Sequence, residues 1–159
     1  MPKFIFTELV DDSDVVTARL GAGTGAANVL SDLDVGKLVK LAGDSRYDLC
    51  AVGNEIEGRI SALEASTHDG YSLGSVQTEG RFTVTFDGLQ ASPGTGTVAI
   101  GDYVVCGTPV SKGTALSVPA KVCKATAAGN TLNFKWRVVS LGSAGTGAVG
   151  TTGLIEFIC

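Results

Sequence analysis

The sequence predicts an all-β fold, a β-barrel or β-sandwich, on three observations. Residues 71–86, YSLGSVQTEGRFTVTF, alternate in character: Val76, Thr78, Gly80, Phe82, Val84 and Phe86 fall on one face of an extended chain, and Ser75, Gln77, Glu79, Arg81, Thr83 and Thr85 on the other. A period of two is the signature of a half-buried strand. Short apolar segments then recur to the C-terminus, separated by turn-forming residues such as Gly43-Asp44-Ser45, Gly53-Asn54 and His68-Asp69-Gly70. Finally, no stretch carries the apolar repeat of a long amphipathic helix.

Taken in order, residues 1–30 read as an N-terminal arm or extended segment, and residues 31–159 as one β-domain. In the arm, FIFTELV is strand-like, DDSD turns, VVTARL is again strand-like, and the Gly-Ala run at Gly21, Gly23 and Gly25 offers nothing to pack. A short helical turn is expected at Ser31–Leu33, with Ser31 as its cap. Strands follow near Gly36–Leu41, Tyr47–Val52, Glu57–Glu64, Ser72–Thr78 and Arg81–Phe86. Gly88–Thr97 is too rich in Gly, Pro and Ser for a central strand. Further strands are read at Asp102–Cys106, Leu116–Lys124, Thr131–Ser140 and Leu154–Ile158, with Gly142–Gly153 a loop before the last. About nine or ten strands at this spacing suit a sandwich or barrel. An internal echo links Val35-Gly36-Lys37-Leu38-Val39 to Ile100-Gly101-Asp102-Tyr103-Val104. Read sharply, it is a duplicated strand-entry turn; read plainly, Gly before a strand is common.

Composition narrows the function. Glycine stands out at 22 residues, while only 18% of residues are charged. Soluble monomers carry about a quarter, so part of this surface reads as covered by another protein, although β-rich chains drift the same way. The net charge of −4, with basic residues scattered singly, argues against a nucleic-acid partner. The apolar patch in MPKFIFTELVDD is cut short by acids, so no signal-peptide core is present, and no apolar run approaches the ~20 residues of a spanning helix. A soluble protein made in the cytoplasm is expected, with no membrane partner. Cys50, Cys106, Cys123 and Cys159 form no CxxC pair, and the first three lie in apolar strand contexts, as small buried hydrophobes do.

The motifs offer little chemistry. Gly21-Ala22-Gly23-Thr24-Gly25-Ala26 resembles a dinucleotide-binding turn, with Asp44 near the place of a ribose-binding acid. Asp32, Asp34 and Gly36 interrupt the helix it needs, and no βαβ pattern follows. His68 is the only histidine and sits among turn formers. Asp11, Asp12 and Asp14 lack the spacing of a calcium loop. Ser72 and Ser75 have no neighbouring base and no nucleophile elbow. Ile56–Arg59, IEGR, matches a protease-cleavage sequence by coincidence. Trp136 alternates with Lys135 and Arg137, as a core or interface anchor does; a base-stacking platform would need a basic groove. No catalytic, cofactor or metal residue is assigned, and no enzyme activity is expected.

Several pieces in sequence resemble the capsid decoration (cement) proteins of tailed bacteriophages. These are the Gly36–Val39 strand entry, the Val76–Phe82 hairpin, the Ile100–Val104 entry, the Ala144–Thr146 loop and the apolar strand Leu154–Phe157 with its acid. The resemblance covers roughly residues 34–158 and departs at Asp44–Asp69 and in the arm. It implies a β-tulip-like barrel or sandwich, often a homotrimer, that binds the major capsid protein on the outer face of the virion and bridges neighbouring capsomers. The candidate contacts are Phe4, Ile5, Phe6, Leu9, Val15, Val16 and Leu20 in the arm, with Trp136. Other expected classes are a tail, fibre or adhesin β-domain and, more distantly, a small-ligand-binding barrel or enzyme with a pocket of convergent polar groups.

Overall fold

The computed structural model describes residues 15–21, 29–43, 46–64, 72–126 and 134–158. The fold is all-β, as the alternation predicts. The first five strands are β1 (Val15–Leu20), β2 (Leu38–Leu41), β3 (Arg46–Leu49), β4 (Gly58–Glu64) and β5 (Ser72–Gln77). They close a barrel in the order β1-β3-β2-β4-β5. The rest are β6 (Arg81–Leu89), β7 (Ser92–Pro93), β8 (Val104–Cys106), β9 (Lys121–Lys124), β10 (Trp136–Ser140) and β11 (Thr152–Phe157). These form a second sheet in the order β10-β11-β6-β9-β8, with β7 on the end of β6. The expected helical turn is a 3-10 turn at Asp32–Asp34, capped by Ser31, whose N–H donates to Asp34 Oδ2 at 2.9 Å.

The internal echo is real, and it extends well beyond the turn. Lys37 N donates to Asp34 O and Asp102 N to Ala99 O, closing two four-residue turns. The glycines within them, Gly36 and Gly101, have φ of 88° and 89°, a region that only glycine enters without strain. Each glycine N–H then donates at 2.8 Å to a neighbouring strand, Gly36 to Ile60 O and Gly101 to Val138 O. Each of those residues returns a bond at 2.9 Å, Ile60 N to Lys37 O and Val138 N to Asp102 O.

From these anchors the two halves run in step. β1 is parallel to β3 and antiparallel to β5; β6 is parallel to β9 and antiparallel to β11. The β4–β5 ladder slips between Ile60 and Ala62, and the β10–β11 ladder slips between the equivalent Val138 and Ser140. An isolated bridge from Tyr103 to Arg137 repeats the Leu38–Arg59 pairing that joins β2 to β4, so the edges of the second sheet meet as those of the barrel do. Strands from residues 15–77 pair only with one another, as do those from 81–157, among the described residues.

Each half has its own core. Leu20, Leu30, Val39, Ile60 and Val76 fill the first barrel. The second core centres on Phe82, Val84, Phe86, Trp136, Val138 and Ile155, and it also takes in Leu38, Cys50 and Ile56 from the first half. The halves are further joined by Trp136 Nε1, which donates to Ile56 O at 3.0 Å, by the Lys135–Glu57 ion pair at 2.6 Å, and by the Arg59 guanidinium 5.0 Å from the centre of the Phe82 ring.

Three readings need correction. The segment VVTARL is not part of an arm. It is β1, paired with β5 at every residue from Val15 to Leu20, with Ala18 and Leu20 turned into the core. Its acidic and Gly-Ala flanks hide three β-branched residues that suit a strand. A boundary at residue 30 therefore separates β1 from its own barrel. Within the expected strand Leu116–Lys124 only Lys121–Lys124 pairs, because Pro119 lacks the N–H a ladder needs. Gly88–Thr97, read as loop, contains the two-residue β7. FIFTELV, DDSD, His68 and Cys159 lie outside the described residues.

Candidate functional site: exposed barrel end, strapped cavity and buried thiols

The structure divides the candidate contact residues. Phe4, Ile5, Phe6 and Leu9 lie outside the described residues. Leu20 and Trp136 are withdrawn from the surface, at 1% and 0% exposure. Trp136 is thus a core anchor, packed between Phe82, tilted at 56°, and Phe157, edge-on at 71°, with ring centres 4.6 and 5.5 Å away. Val15 and Val16 stand exposed at the start of β1, at 51% and 43%.

The duplicated ladders explain why that exposure matters. Val16 pairs with Val76, and in the second half the equivalent pair is Phe82 with Ile155. Phe82 is only 3% exposed because Trp136 and Arg59 cover it. The same end of the first barrel is therefore apolar and open at Val16 where its counterpart is apolar and covered. Two further apolar knobs, unforeseen from the sequence, stand on the repeated turns at the residues before the glycines: Val35, and Ile100 at 63% exposure. The echo between the two segments was the signal for them. Tyr103 adds to the second, half-exposed and 5.9 Å from Phe134.

Between the halves lies a cavity of about 200 Å³, roofed by the loop that runs from Thr108 to Ala120. Leu38, Leu116, Cys50 and Cys106 supply apolar and thiol surface, and Lys37 and Lys121 are its charged residues. No carboxylate lines it. A buried clamp holds the roof down. Asp34 accepts from Lys37 Nζ at 2.6 Å and from Gly113 N at 2.8 Å, and Lys37 Nζ also donates to Ser111 O at 2.7 Å. Burial alone would raise the Asp34 carboxyl; the bonds from Lys37, Ser31 and Gly113 outweigh it and hold the group below its ordinary range. Lys121 reaches out toward Asp87, 3.6 Å away.

The thiols are in the interior, as expected for Cys50, Cys106 and Cys123. Cys50 sits at the base of a turn closed by Asn54 N donating to Ala51 O. The backbone of Cys106 is paired to that same turn, its carbonyl accepting from Gly53 N at 2.8 Å and its N–H donating to Asn54 O at 3.0 Å. This pairing brings both thiols to one cavity wall, where Cys50 Sγ donates to Glu55 O at 3.7 Å and Cys106 Sγ to Gly107 O at 3.4 Å. Nothing in their sequence spacing foretold this meeting. Contact with Cys106, together with burial, pushes the Cys50 thiol far above its usual value. Cys123 donates weakly to Asp87 O at 3.6 Å, and burial and Asp87 push it up to about 11.

Ser72 is a structural bridge: its hydroxyl accepts from Leu30 N at 2.7 Å and donates to Leu30 O at 3.3 Å. No group of three or more potential metal ligands converges among the described residues. No helix among them is long and apolar enough to cross a membrane. No protein-family model, curated protein or solved structure matches the chain.

Proposed function

We propose that this chain is a capsid decoration protein of a tailed bacteriophage, a homotrimer that grips the major capsid protein on the outside of the virion. The observation that carries the reading is the open apolar end of the first barrel at Val15 and Val16, set against the covered equivalent end of the second. One chain thus offers a stiff duplicated β-scaffold with an apolar surface left for a partner. A partner that repeats, such as the subunits of a shell, suits a scaffold that carries the same turn twice, with Val35 on one copy and Ile100 on the other. Several modest contacts gathered in one oligomer give avidity without a single tight one. The low charge and the resemblance of residues 34–158 support the same conclusion.

The test is location and mass. Gold-labelled antibody against the purified protein should decorate the heads of particles that carry it, and light scattering should return three times the chain mass. Replacing Val15 and Val16 together by Asp should leave the fold intact while head binding falls tenfold or more, equivalent to about 1.4 kcal/mol or more. Label confined to tails or fibres would transfer the chain to another virion part, and undiminished head binding by the variant would remove the barrel end from the contact. The cavity supports a second reading, a small-ligand-binding barrel.

A further inference from the structure

We propose that Cys50 and Cys106 form an oxidation site, a buried dithiol that a small peroxide entering the cavity converts to a disulfide bridging the two halves of the chain. Geometry carries this. The thiols come from different halves, yet backbone bonds from the N–H and the carbonyl of Cys106 pin its strand to the Ala51–Asn54 turn that follows Cys50. Both line the same cavity, which has room for a molecule of peroxide size. Neither thiol belongs to a metal-binding group among the described residues, and the site holds whatever partner the chain has.

The chemistry balances with hydrogen peroxide as the oxidant. In the proposed sequence the Cys106 sulfur, on the cavity wall, makes the first attack. That sulfur displaces hydroxide from the peroxide, forming an S–O bond as the O–O bond breaks, and the displaced hydroxide takes up the Cys106 proton as water. The Cys50 sulfur then attacks the sulfenic sulfur, forming S–S as S–O breaks, and a second water leaves with the Cys50 proton. Two thiols and one peroxide become one disulfide and two waters. Because a thiolate is the reactive form and Cys50 resists ionising, closure is slow at neutral pH and quickens as the pH rises. Cys123, held up to about 11 and bonded to Asp87 O, stays reduced.

The experiment treats the full-length native protein with dilute hydrogen peroxide, blocks remaining thiols after denaturation, digests with trypsin without reductant and reads masses. The expected product joins the peptide of residues 47–59 to that of 82–112, with the loss of two hydrogens, while the 122–124 peptide carries the blocking group. Cys123→Ser should close the bridge as fast as the parent, and either Cys50→Ser or Cys106→Ser should abolish it. The parent digest stands even if those two variants fold poorly. Cys50 and Cys106 recovered as blocked thiols or as sulfinic acids, or a bridge that uses Cys123 or Cys159 instead, would overturn the proposal.

Discussion

Asp34 shows how much one side chain organises. Its carboxylate is fully buried, and it gathers the 3-10 turn, Lys37 and the cavity roof into one hydrogen-bonded unit. Breaking one side of a buried pair strands the other charge, so Asp34→Ala should cost about 3–5 kcal/mol, read as a lower urea midpoint at pH 7. Adding Lys37→Met should return part of that loss by removing the stranded ammonium. The acid dependence has a definite sign. The folded carboxyl lies below its unfolded value, so its stabilisation is complete above the unfolded value and drains as the pH falls through the folded one. Parent and Asp34→Ala should therefore differ most near neutrality and converge progressively as the pH falls through and below the ordinary carboxylate range. The sequence showed Asp34 only as one of several acids near a helical turn. Its burial depends on Ser111 and Gly113, which no local pattern places beside it.

At the level of strands, the clearest constraint comes from two mid-strand glycines in equivalent places. A Cβ on Gly74 would meet Ala62 O at 2.5 Å and Leu20 Cδ1 at 2.6 Å; one on Gly153 would collide with Ser140 O and the Phe86 ring. In each half the carbonyl belongs to the ladder slip and the side chain to the strand opposite. Overpacking of this kind costs about 1–3 kcal/mol, so Gly74→Ala and Gly153→Ala should each lower the thermal midpoint. Substituting both should lower it further, by nearly the sum, because they sit in separate cores. Period-two alternation made β5 and β6 legible, and Val76, Phe82, Val84 and Phe86 are all buried as their face requires. Gly153 was hidden because it reads as the tail of a glycine-rich loop. Its strand character comes from pairing with Val84, a partner far away in the chain.

The molecule as a whole is two turns of one design, joined where the second core takes in Leu38, Cys50 and Ile56 of the first half. The pattern was faintly visible in Val35–Val39 and Ile100–Val104. It stayed faint because the repeated core positions keep their apolar character more than their identity: Leu20 answers Phe86, and Ile60 answers Val138. That equivalence makes β1 indispensable, since its counterpart β6 is the central strand of the second sheet. Deleting residues 2–14 removes nothing from the β1–β5 ladder, all of which comes from Val15 onward. That variant should unfold in urea with a dispersed amide spectrum and a midpoint close to the parent's. Deleting residues 2–28 takes out β1 and, with it, the 1%-exposed Leu20 from the centre of the first core. The loss of so large a buried side chain alone is worth about 2–5 kcal/mol, and the barrel also loses the strand that joins β5 to β3. The longer deletion should therefore collapse amide dispersion for residues 29–77. Residues 81–157 should suffer less, because every ladder there is internal. A parent-like spectrum from the longer deletion would show that the barrel closes without its first strand, and the repeat would then lose its structural meaning.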